Sequence, residues 1–187
     1  MRGGDQPTGA IVSALQAIGD WGEQCVQRYY EERLRNGYWT AHLAHDDCRT
    51  HDIECRQVDE FGKTVETHFL ECKATLDNNS HGIPYPRLKK YVEFWSCSSY
   101  ANWFWIVRVS LPLRQMLFFP LYNLERSLEE TENRAIAKGK DLSHCWAQLE
   151  PHLATKRIPL TDDDRRRGND LFLRIGSPVE GDLFGGI

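Results

Sequence analysis

Phe69-Leu70-Glu71-Cys72-Lys73 sets a carboxylate and an ammonium two residues apart inside an otherwise apolar run. Side chains of a β-strand alternate faces with a period of two, so Glu71 and Lys73 share one face while Leu70 and Cys72 take the other. Charges placed together in this way need a chemical reason. The plain alternative is a same-face surface ion pair, worth little energetically. Upstream stand two more acids at telling positions. Asp52 opens a second strand-like run, His51-Asp52-Ile53-Glu54-Cys55, and Glu23 follows Gly22 in the amphipathic segment that begins the chain. Asp52 also reads as a cap for the turn after Arg49-Thr50, and Glu23 as a solvated helix residue.

Working outward, the turn signals at residues 59–63 join a strand over residues 51–58 to a strand over 64–75, making a hairpin. A strand over 38–44 precedes it. Before that, Ile11, Leu15, Ile18, Cys25, Val26, Tyr29, Tyr30 and Leu34 recur at helical spacing, which predicts one long helix over 8–36, bent near Gly19 and Gly22. Downstream, 76–86 reads as a mobile loop and 87–98 as a helix with Leu88, Tyr91, Val92 and Trp95 on one face. Residues 103–110 and 116–120 read as strands, the first so apolar that burial on both faces is expected. Helices are expected over 121–138 and 141–149. The order αβββαββ predicts an α/β (α+β) fold with a central mixed sheet flanked by helices. A single domain is expected over 9–176, with its core at 15–120 and a helical extension at 121–176, between flexible ends at 1–8 and 177–187.

At 187 residues, 41% hydrophobic and 27% charged, the chain can bury about 70% of its unfolded surface in one core. Its formal charge of −4 excludes a protein coated in basic surface, so nucleic-acid contact must come from local patches. Candidates are Arg87, Lys89 and Lys90. The Arg165-Arg166-Arg167 run follows Asp162-Asp163-Asp164 and reads as a solvated face. The six cysteines contain no Cys-x-x-Cys and fit small reduced core residues. No run approaches the roughly 18 apolar residues of a membrane span. The first residues lack the apolar core of a signal peptide, which predicts a cytoplasmic setting.

The ordered set of a helix with Gly22-Glu23, a strand with Asp52, a hairpin, a strand with Glu71-Cys72-Lys73, then a helix and a strand resembles the PD-(D/E)XK nuclease superfamily, the restriction-endonuclease-like proteins, over about residues 15–110. His51 stands where the motif has proline. The resemblance implies an αβββαβ core and a Mg²⁺- or Mn²⁺-dependent endonuclease, with DNA favoured over RNA and a setting in restriction, repair, recombination or defence. It assigns Glu23, Asp52, Glu71 and Lys73 to the catalytic site and gives Lys89 and Lys90 phosphate contacts. Cutting both strands of a duplex would call for a homodimer, and the lack of a second domain for a targeting partner.

The chemistry supports the same residues independently. Phosphodiester hydrolysis needs a hydroxide brought to an anionic phosphorus, which divalent cations on hard oxygen ligands provide. Asp52, Glu71 and the backbone carbonyl of Cys72 are the expected ligands, Lys73 positions or stabilises the nucleophile, and Glu23 completes the shell. Glu54, on the face of Asp52, reads as exposed. Two readings compete. His45, Cys48, His51 and Cys55 have spacings compatible with zinc, and either histidine could instead join the metal site. A non-catalytic nucleic-acid-binding or protein-interaction module on the same fold would make the acids dispensable.

Overall fold

The longest strand is the one that carries Glu71. A computed structural model of the protein describes residues 9–34, 37–44, 50–77, 82–99 and 103–175. In it Thr64–Thr75 forms a twelve-residue strand. In chain order the main elements are α1 (Gly9–Arg28), β1 (Tyr38–Leu43), β2 (Ile53–Val58), β3 (Thr64–Thr75), β4 (Gly82–Pro84), α2 (Tyr85–Ser96), β5 (Phe104–Ser110), β6 (Gln115–Pro120), α3 (Leu121–Ala137), β7 (Trp146–Gln148), β8 (Lys156–Pro159) and α4 (Asp162–Ile175). Six strands make a mixed sheet in the order β1-β2-β3-β5-β6-β8. Its pairings are antiparallel except β3 with β5, which run parallel from Phe69↔Phe104 to Thr75↔Ser110. A parallel pair requires a crossover, and α2 supplies it.

This is the expected mixed sheet flanked by helices. β5 is buried along nearly its whole length, as its apolar run requires. Two cores lie on opposite faces. Toward α1, Trp21, Cys25 and Val26 meet Leu70, Cys72, Val107 and Phe118. Toward α2 and α3, Leu88, Tyr91, Val92 and Trp95 meet Phe104, Ile106, Phe119 and Leu124. The β2–β3 turn is shaped by the Asp59 carboxylate, which accepts from the backbone N–H groups of Phe61 and Lys63 at 2.9 and 2.8 Å, and by Gly62 at φ 78°.

Four expectations change. The long helix ends as regular α-helix at Arg28 and widens into a π turn, Tyr29–Arg33, in which two consecutive tyrosines are both buried. The expected first and last residues of that helix, Thr8 and Asn36, lie outside the described residues. The expected loop after β3 contains β4, and α2 begins at Tyr85, two residues early, with Pro86 in its first turn. Residues 141–149 form no α-helix. Asp141 caps a short 3₁₀ turn through Ser143 N–H at 2.9 Å, and the chain then extends as β7, which pairs with β4 and buries Ala147. The segment after residue 120 therefore supplies strands as well as helices, and β8 joins the main sheet. No helix among the described residues is long and apolar enough to cross a membrane.

Candidate active site

β3 outruns its partner. β2 begins at Ile53, opposite Leu70, so the last residues of β3 have β5 on one side and an open edge on the other. Asp52 occupies the first open position. Its backbone N–H donates to the Leu70 carbonyl at 2.8 Å, and its carboxylate Oδ2 accepts from the Cys72 N–H at 2.7 Å. The side chain thus takes the place of a ladder carbonyl, which fixes the carboxylate beside Glu71 more firmly than the turn-capping role would.

Glu71 and Lys73 do share a face, the one toward α2. Glu71 is 1% exposed, and its Oε1 accepts from three donors: Lys73 Nζ, Arg87 Nη2 at 3.0 Å and Tyr91 O–H at 2.6 Å. Tyr91 in turn accepts from Arg87 Nε at 2.8 Å, and the guanidinium lies over its ring, 5.6 Å from the centroid. Arg87 and Tyr91 sit one turn apart on α2, where residues four apart face the same way. More than half of the Arg87 side chain, 54%, stays exposed. Lys73 Nζ also donates to the Cys72 carbonyl at 3.0 Å and lies 3.9 Å from Asp52 Oδ2.

Glu23 reaches this end because of the residue before it. A Cβ on Gly22 would sit 2.6 Å from the Ala74 Cβ and 3.2 Å from the Cys72 Sγ, so glycine lets α1 lie directly on β3. Burial, and then the neighbouring carboxylates of Asp52 and Asp20, push the Glu23 carboxyl up to about 7 against the pull of Lys73. Asp52 is also raised, by burial first and then by Glu71, while Lys73, the Cys72 N–H and Arg87 act the other way. The pocket is crowded with negative charge that its own cations only partly offset.

That crowding bears on metal binding. Among the described residues no three His, Cys, Asp or Glu side chains are grouped to hold a metal ion. Three oxygens nevertheless converge on one cation: Asp52 Oδ2, Glu71 Oε1 and the Cys72 carbonyl surround the Lys73 ammonium. Hard, partly anionic oxygens of this kind fit Mg²⁺ or Mn²⁺, and the lysine side chain that neutralises them is itself partly exposed.

The other candidates separate from the site. Lys89 and Lys90 are exposed. Lys89 lies 3.9 Å from Glu93 on its own helix. Glu54 pairs with the exposed Arg56 at 2.6 Å. His45 and Cys48 lie outside the described residues. His51 and Cys55 do not share a face, because His51 precedes the strand and escapes its alternation. Its ring packs on Phe69 and Trp95, with centroids 5.1 and 6.2 Å away, while Cys55 is buried in the core toward α1. Tyr91 was not expected at the site, since its ring fitted the apolar period of the helix; the Arg87–Tyr91 spacing was the available signal.

No protein-family model matches this chain, and a search of curated proteins finds no match.

Proposed function

We propose that the protein is a metal-dependent endonuclease that hydrolyses phosphodiester bonds, with DNA as the favoured substrate, built on the PD-(D/E)XK plan. The observation that carries this reading is the convergence of Asp52, Glu71 and the Cys72 carbonyl on the Lys73 ammonium at the open end of β3, with Glu23 alongside. Asp52, Glu71 and the Cys72 carbonyl would hold Mg²⁺ or Mn²⁺. The bound cation would supply Lewis-acid stabilisation of the phosphate and a more acidic water.

The chain's own residues do the positioning. Lys73, displaced from Glu71 by the cation, would offer its ammonium to the attacking oxygen or to the charge that builds on phosphorus. Arg87, held by Tyr91 and Glu71, presents its exposed side to a non-bridging phosphate oxygen, a contact suited to a planar guanidinium. Tyr91 keeps both partners in register from within the core. Glu23 adds a carboxylate whose repulsion with Asp52 a divalent cation would relieve.

The decisive experiment is cleavage of labelled single- and double-stranded DNA and RNA by the purified protein in Mg²⁺, Mn²⁺ or EDTA, beside Lys73→Ala and Glu71→Gln. Cutting in Mg²⁺ or Mn²⁺ but not EDTA, reduced at least 100-fold in both variants while their thermal melts stay cooperative, is the expected result. A wild type that binds nucleic acid but never cuts it, and whose binding survives both substitutions, would overturn the nuclease reading in favour of a binding module.

A further inference from the structure

Past the end of β3 the chain reaches a cleft of about 310 Å³ between the β5–β6 turn and α4, on the α1 side of the sheet, opposite the face of Glu71 and Lys73. Its volume falls at the lower end of the range for small-molecule sites. Leu76, three residues past Lys73 and so about 10 Å along an extended chain, forms one wall. Leu111 and Pro112 of the turn and Phe172 of α4 complete an apolar lining. The polar groups are Arg114, Arg165 and Asn169. Arg165, Asn169 and Phe172 fall four and then three residues apart, and all three line the cleft from one face of α4.

Two features set this cleft apart from an ordinary surface dent. Arg114 has φ 54°, and it is the one non-glycine residue with positive φ among those described. Its backbone is held there by Arg114 N–H to the Leu111 carbonyl at 3.0 Å and by Leu160 N–H to the Arg114 carbonyl at 2.9 Å. Glycine would occupy this conformation without strain. The arginine side chain is therefore kept at a conformational cost, and strain of that kind concentrates at binding sites. On the opposite wall, Arg165 Nε is buried with no hydrogen-bond partner among the described residues, while its Nη2 pairs with the exposed Asp162.

We propose that this cleft binds one nucleotide of the substrate strand a short way from the phosphate being cut, where the strand passes round the end of β3 from the Glu71–Lys73 face. The phosphate lies between the Arg114 and Arg165 guanidinium groups, which suit phosphate oxygens geometrically. The base rests on the Phe172 ring, since every base offers a face for stacking, and the Asn169 amide supplies one donor and one acceptor to its edge. The assignment rests on the nuclease reading of the Glu71–Lys73 site and gives it a direction along the strand.

The test is binding of a fluorescent single-stranded oligonucleotide in EDTA, with thymidine monophosphate and inorganic phosphate as separate probes. A photoreactive pyrimidine in the oligonucleotide maps contact. Arg114→Gly suits the test because glycine fits φ 54° and leaves the fold intact, and Phe172→Ala removes the stacking surface. Both are expected to weaken oligonucleotide binding about tenfold, with crosslinks on the Arg165–Phe172 face of α4. Wild-type affinity in both variants, with crosslinks elsewhere, overturns the cleft assignment while leaving the nuclease reading intact. Arg114-dependent binding of the monophosphate or phosphate alone, without an effect on the oligonucleotide, also overturns it, by showing a free-nucleotide or free-phosphate site. Arg114-dependent oligonucleotide binding in a protein that cuts nothing keeps the cleft as a nucleotide site but overturns both the nuclease reading and the cleft's place along a cut strand.

Discussion

Glu23 is the residue at which stability and proposed function pull apart. Its carboxyl is raised from an ordinary 4.5 to about 7, so between those values the folded protein binds more protons than the unfolded chain. Stability must then fall as pH rises through this window. After allowance for the solvent that still reaches the side chain, the loss is about 1–2 kcal/mol. Glu23→Gln removes the charge and with it the slope. In EDTA the variant should match the wild type near pH 4 and exceed it in urea stability at pH 8, while cutting more slowly in Mg²⁺. Parallel pH profiles for the two proteins would show that Glu23 is solvated and outside the site. The acids and the lysine of this site were legible because strand alternation places Glu71 and Lys73 before any fold is known. Tyr91 was not, because the ring of a tyrosine satisfies a helical apolar stripe and its hydroxyl meets Glu71, 20 residues away, only once α2 has crossed over the sheet.

Gly22 decides how α1 meets the sheet. In an isolated helix Gly→Ala gains about 1 kcal/mol from propensity. Here the added methyl would lie 2.6 Å from the Ala74 Cβ, and overpacking of that kind costs about 1–3 kcal/mol. The clash should win. Gly22→Ala is expected to lower the thermal midpoint by a few degrees and to reduce cleavage more than that loss explains, because α1 must lift Glu23 away from Asp52. A variant more stable than the wild type would mean that the helix sits loosely on β3. Element reading succeeded where period and length agreed, as in β3, whose limits match the expected 64–75. It failed at 141–149, where a capped turn and a three-residue strand mimic one amphipathic helix. β8 was missed because Lys-Arg-Ile-Pro is too short to show a period and owes its strand form to pairing with β6.

At the scale of the molecule, α4 closes the layer over α1 and ties the last described helix to the first. Thr161 and Asp164 form a reciprocal cap, with N–H groups donating each way at 3.0 Å. Asp164 also receives Arg28 Nη2 at 2.6 Å, with the two side chains 2% and 22% exposed, and its carbonyl accepts from Trp21 Nε1 at 3.1 Å. Gly168 lets the helix approach so closely that a Cβ there would meet the Trp21 ring at 2.8 Å. Burial by itself would raise the Asp164 carboxyl, but the bonds from Thr161 and Arg28 outweigh it and hold it below the ordinary 3.8. Its contribution is therefore complete above that value and lost as pH falls through the lowered one. Removing one partner of a buried pair costs about 3–5 kcal/mol, whereas the exposed Arg167–Asp163 pair on the same helix is worth at most about 1 kcal/mol. Asp164→Ala should then lower the thermal midpoint at pH 7 by about 10 °C, and the gap to the wild type should narrow in acid. Arg167→Ala should leave the midpoint nearly unchanged. If Asp164→Ala instead melts with the wild type at pH 7, α4 does not brace α1, and the cleft it walls with Arg165 and Phe172 loses the rigid support that a binding site requires.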